Sequence, residues 1–389
     1  MPVLLTGGTG KTSVRLARFL QNENIPFLLA SRRGAAAAPS GMPAVKFDWL
    51  DQSTWKEPFQ SHFAGGGTIT AIYLMEPLVA EPWKPMNEFI DFARTEHGVR
   101  RFVLVAGSSA EPSKPGMGMV WQHFLDTGVD YCVLRPSWFM ENLSDGAPST
   151  VIRDMDKIFT ACGDGKIPFV SAIDIAAVAF RAITDPKSHN CDHRVLGPEL
   201  LTYDEVAEKL SAALGRRIEH VKLTGDERYE SLVGAGVSEY YARFLTNLET
   251  AASTGFETRM NATVQEVTGR TPGHWIFLHT RIERLGNTRK RSLHQTEASQ
   301  RSPCADEEDQ LSDWIDVLIG MREITEEEEK VLVFGWPTNE VGAWVLRFRS
   351  AAELPKGFGR MSLAMNVEKI QIEDVPQVKE LDGYTRFEA

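Results

Sequence analysis

Cysteine is scarce in this chain: Cys132, Cys162, Cys191 and Cys304 are the only four in 389 residues. None forms a CxxC pair or a zinc-type spacing, so linear spacing predicts neither a disulfide framework nor a metal site. The usage suits a reducing compartment. Long apolar runs are also missing, and no stretch approaches the roughly 20 apolar residues that span a bilayer. No basic segment precedes the short apolar run Pro2-Val3-Leu4-Leu5, so a secretory signal is not expected and the chain reads as cytoplasmic. A dominant basic field is lacking as well. The net charge is −11, with −7 carried by residues 286–389 and −4 by the first 285. Neither part suits nucleic acid, so no nucleic-acid and no membrane partner is expected.

What is present is the ordinary material of a folded protein, 42% hydrophobic and 24% charged, with length for one large domain or two smaller ones. Short β-rich runs alternate with helical patterns through the first half. Val3–Thr6, Phe27–Ala30, Ala44–Phe47, Ala71–Leu74, Arg101–Ala106 and Tyr131–Leu134 read as strands. Thr12–Asn22, Glu88–Thr95 and Trp121–Thr127 read as helices, the first with Val14, Leu16, Ala17 and Leu20 inward. Such alternation predicts an α/β, Rossmann-type doubly wound parallel sheet. From about residue 150 the pattern turns helical, with Ile173–Thr184 and Tyr203–Leu214 amphipathic and Thr202 with Glu205 forming a capping box. The expected layout is a dinucleotide-binding domain over 1–150, a smaller helical substrate lobe over 151–285, and a C-terminal extension over 286–389. In that extension a polar linker follows Arg289, a helix is predicted at Leu311–Ile319, and Val331–Phe334 and Ala343–Phe348 are candidates to pair.

The chemistry concentrates in the first strand-to-helix turn, Gly7-Gly8-Thr9-Gly10-Lys11-Thr12-Ser13. Glycines there permit backbone conformations closed to other residues and let a pyrophosphate approach the helix N–H groups. Gly10-Lys11-Thr12 also spells the end of a P-loop, but that motif needs a glycine where Leu5 stands, inside the strand. The second strand ends in Ser31-Arg32-Arg33, a hydroxyl and two guanidinium groups in place of the carboxylate that accepts from an NAD ribose. Guanidinium forks match a phosphate, so NADP(H) is the expected cofactor. Asp48 either touches the adenine edge or caps the next turn.

After the fifth strand come Gly107-Ser108-Ser109, but no Tyr-x-x-x-Lys follows. His123 is the one titratable side chain in the segment from Gly116 to His123. Ser108 and His123 are therefore weak catalytic candidates, and the usual acid machinery for reducing a ketone is missing.

Leu134-Arg135-Pro136-Ser137-Trp138-Phe139-Met140-Glu141-Asn142, Gly165-Lys166-Ile167-Pro168-Phe169-Val170 and Gly197-Pro198-Glu199-Leu200-Leu201-Thr202-Tyr203-Asp204-Glu205 resemble the NmrA-like atypical short-chain dehydrogenases. Leu4–Thr12, Phe47–Asp51 and Trp138–Asn142 are similar to the fungal festuclavine and agroclavine dehydrogenases of ergot alkaloid biosynthesis. The likeness covers roughly residues 1–285. It implies hydride delivery from NADPH to a cyclic iminium made from chanoclavine-I aldehyde, coupled to an upstream flavoprotein of the old yellow enzyme type. Such a substrate needs no acid, because hydride addition neutralises its nitrogen. Trp121, Trp138 and Phe139 are candidate walls for a flat indole, or ordinary core. Glu141 and Asn142 either hold substrate or stabilise their loop. Two other readings fit the missing tyrosine and lysine: an NADP(H)-sensing regulator without catalysis, and a quinone or enone reductase.

Overall fold

A computed structural model describes residues 1–273, apart from residues 64 and 146, together with three strands near the C-terminus. The chain divides into two compact units, residues 1–294 and 295–389. In the first, the elements in chain order are β1 (Val3–Thr6), α1 (Lys11–Asn22), β2 (Phe27–Ser31), β3 (Ala44–Lys46), β4 (Ala71–Leu74), α2 (Trp83–His97), β5 (Arg101–Val105) and α3 (Met117–Thr127). Then follow β6 (Asp130–Pro136), α4 (Ala147–Met155), β7 (Lys157–Thr160), α5 (Ala172–Thr184), β8 (Cys191–Val195) and α6 (Tyr203–Leu214). The unit continues with β9 (Glu219–Lys222), α7 (Gly225–Gly234), α8 (Glu239–Ser253) and α9 (Thr263–Thr268).

Seven parallel strands lie in the order β3-β2-β1-β4-β5-β6-β8. This is the doubly wound arrangement that the alternation predicted, with its direction of winding reversing between β1 and β4. The central strands β1 and β4 are buried on both faces because helices cover both. Val3 and Leu5 of β1 join Leu16, Ala17 and Leu20 of α1 and Ile175, Val178 and Ala179 of α5 in one core. Leu4, between them, points the other way and packs with Phe89 and Ile90 of α2 and Val120 and Phe124 of α3. Val14 is only half-buried, and Thr12, Ser13 and Arg15 take buried places on α1 instead.

The expected boundary at residue 150 is not where the sheet ends. Helix α5 packs in the α1 core, and β8 pairs with β6 as the seventh strand. The expectation of a helical second lobe missed β7, β8 and β9. Strand β8 reads Cys-Asp-His-Arg-Val and fully buries only Val195, so its polar edge carries no apolar signal. The remaining residues build a third core, in which Ile158, Phe169, Leu201, Tyr203, Val206 and Leu210 meet beside the β7-β9 pair. The capping box at Thr202 and Glu205 forms as expected, and a second one forms at Thr224 and Glu227.

In the second unit, β10 (Lys330–Gly335) pairs antiparallel with β11 (Ala343–Phe348), as the sequence suggested, and β12 (Glu368–Ile370) joins β11. The predicted linker and the helix at 311–319 lie outside the described residues.

Candidate active site

The first strand-to-helix turn is built so that nothing but glycine fits at three places. Gly7 has φ +63°, a left-handed conformation. A Cβ on Gly8 would stand 2.9 Å from the Ala30 nitrogen, and one on Gly10 would stand 2.9 Å from the Gly7 carbonyl. Helix α1 starts at Gly10 with no side-chain cap. The turn is braced from beneath by three hydroxyls. Ser13 Oγ donates to the Thr6 carbonyl at 2.9 Å, Thr6 Oγ1 donates to the Tyr73 carbonyl at 3.0 Å, and Tyr73 donates its hydroxyl proton to Thr12 Oγ1 at 2.8 Å. The Thr12 side chain is thus committed to the core, and what it offers a ligand is backbone. Thr9 is exposed at the tip of the turn. Lys11 turns sideways, donating from Nζ to Asn142 Oδ1 at 2.8 Å, which ties the turn to the segment after β6.

At the end of β2, the Ser31 hydroxyl is buried without a hydrogen-bond partner, and Arg32 and Arg33 are exposed. A buried hydroxyl without a partner costs stability unless a ligand satisfies it. Asp48 caps its own turn. Its Oδ1 accepts from the Leu50 N–H at 3.0 Å, and its carbonyl accepts from Trp55 Nε1 at 3.1 Å.

The carboxyl ends of β5 and β6 bring together residues far apart in sequence. Ser108 Oγ donates to Glu257 Oε1 at 2.5 Å, and both residues are buried. The other carboxylate oxygen, Glu257 Oε2, is buried without a partner. Arg135 donates from Nη2 to the Ser108 carbonyl at 2.8 Å and from Nη1 to Asp192 Oδ2 at 2.9 Å, leaving its buried Nε unpartnered. Trp121 lies beneath, its ring centroid 5.6 Å from the Arg135 guanidinium carbon. No sequence signal pointed to Glu257, which lies 149 residues from its partner in a stretch without a motif. Arg135 sat inside a recognised motif, but nothing in the motif set it apart from its neighbours.

Several expected site residues take other places. His123 points along the outer face of α3, its Nε2 lying 3.1 Å from Asp91 Oδ1 on α2, so it is not positioned as an acid for the site. Glu141 is spent on structure. Its oxygens accept from Ser171 Oγ at 2.9 Å and the Ala172 N–H at 2.8 Å, at the start of α5, and Arg15 lies 3.7 Å away. A carboxylate at a helix N-terminus stabilises it through the helix dipole. Trp121 is buried with the α2 and α3 core, so it supports Arg135 instead of lining a pocket wall. Trp138 and Phe139 stay half-buried, Trp138 edge-on to Tyr203 at 6.2 Å between ring centroids. Among the described residues, no helix is long and apolar enough to cross a membrane.

A dinucleotide fits these residues. The turn is a cradle that a Cβ would fill, and Ser31 offers an unsatisfied hydroxyl beside two exposed guanidinium groups. No protein-family model matches the chain. Relatives do. It is 43% identical over 280 residues to an agroclavine dehydrogenase of Claviceps fusiformis, covering 71% of this chain and 95% of the relative. It is 42% identical over 277 residues to a festuclavine dehydrogenase of Aspergillus fumigatus, covering 70% and 94%. In fold it is similar to the triphenylmethane reductase of a Citrobacter species, solved with NADP(H), at TM-score 0.59 and 18% identity over 73% of this chain and 99% of that one. It is likewise similar to the NADPH-dependent quinone oxidoreductase of Escherichia coli, at TM-score 0.58 and 19% identity over 75% and 99%. The Rossmann sheet, the glycine turn and the extent of these likenesses lead to one conclusion: the chain is an oxidoreductase belonging to the agroclavine and festuclavine dehydrogenase family.

Proposed function

We propose that this oxidoreductase uses NADPH to reduce a cyclic iminium formed from chanoclavine-I aldehyde, yielding a clavine alkaloid. The observation that carries the reading is the Ser108–Glu257 pair with its bare carboxylate oxygen, in a site without a proton donor of the Tyr-x-x-x-Lys kind. A ketone would need a proton on its oxygen, and losing the donor costs roughly 10²- to 10⁴-fold. An iminium already carries its positive charge. As the C–H bond forms, the C=N π pair moves onto nitrogen, so the product is a neutral amine and no proton changes hands.

When bound, NADPH supplies the hydride. Gly7, Gly8, Thr9 and Gly10, with the first-turn N–H groups of α1, cradle its pyrophosphate, and Ser31, Arg32 and Arg33 hold the 2′-phosphate. Glu257 sets a negative charge against the substrate cation inside a buried site, where such a charge is worth more than in water. Ser108 orients that carboxylate by its hydrogen bond, and Arg135 holds the Ser108 backbone. Trp138 and Phe139 offer half-buried aromatic faces to an indole, with Asn142 and Lys11 beside them. The residues around the third core act as the substrate lobe. We place the enzyme in the cytoplasm, downstream of an old yellow enzyme-type flavoprotein that fixes which clavine forms.

The test is NADPH consumption with chanoclavine-I aldehyde, with and without that flavoprotein, and with identification of the product. Turnover to a clavine supports the reading. Tight NADPH binding without turnover would mean a cofactor sensor, and turnover on quinones alone would mean a quinone reductase.

A further inference from the structure

The opposite, amino-terminal end of the sheet holds a cluster that hydride transfer does not use. Strand β8 runs parallel to β6 with Cys191 opposite Cys132 and His193 opposite Leu134. Alternation along a strand puts Cys191 and His193 on one face, and register partners share it. Cys132 and Leu134 pack there against α5. The connection from α5 to β8 adds His189. The Cys132 sulfur and one ring nitrogen each from His189 and His193 all lie within 4.8 Å of one another. His189 Nδ1 is 2.8 Å from His193 Nε2, and Cys191 Sγ is 3.7 Å from the same Nε2.

A second observation concerns the far side of His189. Its Nε2 lies 3.0 Å from Asp185 Oδ2, at the C-terminal end of α5. A carboxylate behind one imidazole nitrogen fixes the tautomer that presents a lone pair at the other, and metal-ligating histidines are held in this way. The lone pair then belongs to Nδ1, the nitrogen that faces His193. No disulfide joins Cys132 to Cys191.

We propose that Cys132, His189 and His193 bind a structural zinc ion that pins β8 and the α5–β8 connection to β6, with Cys191, 3.7 Å from His193 Nε2, swinging in as the fourth ligand. Two thiolates and two imidazoles are a set that zinc takes in closed tetrahedral sites. Metal–ligand bonds of roughly 2.0 Å to nitrogen and 2.3 Å to sulfur put ligand atoms about 3.3–3.8 Å apart in a tetrahedron. The Cys191–His193 distance already falls in that range, and the two imidazoles need to part by about 0.5 Å. Binding releases the two thiol protons to solvent. Sequence spacing hid the set because Cys132 lies 57 residues from His189 along the chain and meets it only through strand pairing. The ion would sit at the end of the sheet away from Ser108 and Glu257, so the site stands or falls independently of the substrate reading.

The full-length protein, stripped with a chelator under reducing conditions, is titrated with cobalt(II) and then with zinc. The expected result is about one equivalent of cobalt with thiolate-to-cobalt charge-transfer and visible tetrahedral bands, displaced by zinc. Zinc at about a hundredfold over Kd should raise Tm by about 3–5 °C. His189→Ala and Cys132→Ser should each lose the bands, and Cys162→Ser, at a thiol in the third core, should keep them. His189 lies on a connection between elements, so its variant tests the site even where Cys132→Ser does not fold. Absence of the charge-transfer band in the parent protein, or bands unchanged in His189→Ala, would overturn the proposal. So would a Cys132–Cys191 disulfide persisting under reductant.

Discussion

Two buried glutamates show how the substrate end of the sheet differs from the lobe beside it. Glu249, on α8, is saturated: it accepts from the Ala161 N–H at 2.7 Å and takes a bidentate pair from Arg228 at 2.9–3.0 Å. Glu257, eight residues on and equally buried, has one hydrogen bond from Ser108 and one bare oxygen. A buried charge without full pairing costs stability, so the bare oxygen makes Glu257, unlike Glu249, a candidate to meet a ligand. The same contrast separates Glu141, closed over the start of α5, from the unpartnered Ser31 hydroxyl at the end of β2.

The comparison is tested most severely by Glu249→Ala. Removing that carboxylate strands the half-buried Arg228 guanidinium and the buried Ala161 N–H, and the expected loss is about 2–4 kcal/mol in urea-induced unfolding. Glu257→Gln should behave oppositely, leaving unfolding within about 1 kcal/mol of the parent because the Ser108 bond survives. Its rate of hydride transfer should fall on the order of 10- to 100-fold, read by single-turnover kinetics. A destabilised protein with unchanged rate would make Glu257 another structural acid.

Arg32 and Arg33 extend the test to the cofactor. Replacing both with alanine should weaken NADPH on the order of 10- to 100-fold and NADH far less, as measured by titration calorimetry. Equal losses would make them surface charge.

Asp174 is an intermediate case. It is buried in the first turn of α5 and accepts from the Gly273 N–H at 2.7 Å, and burial pushes its carboxyl up to about 6. The fold therefore binds this proton more tightly than the unfolded chain does. Its contribution is fully present below about pH 4 and is lost as pH rises to about 6. Asp174→Asn keeps the acceptor, so it should flatten that slope and raise stability at pH 7 by about 1–3 kcal/mol. An unchanged slope between pH 4 and 6 would show that Asp174 does not titrate there.

The smallest effect is expected at His123, held by Asp91 on the outer face. His123→Ala should lower single-turnover hydride transfer by less than about tenfold, without a new pH dependence. A loss of about a thousandfold would make it the acid and remove the argument for an iminium.

The doubly wound sheet and the glycine turn were legible in the sequence because their signals are local. A buried parallel strand is a short apolar run, and a pyrophosphate turn needs glycines within a few residues of each other. The Thr202 capping box was legible for the same reason. By contrast, β8 was invisible, because an edge strand with half-buried polar residues has no apolar period to read. For Glu141 and His123 the sequence left a structural and a chemical role both open, and tertiary packing supplies the structural partners. The local sequence thus determined the cofactor turn and the order of elements. Only the tertiary structure decided that Ser108 meets Glu257 and that Cys132 meets His189. Strand pairing and lobe packing create such contacts across 57 to 149 residues, and no spacing along the chain records them.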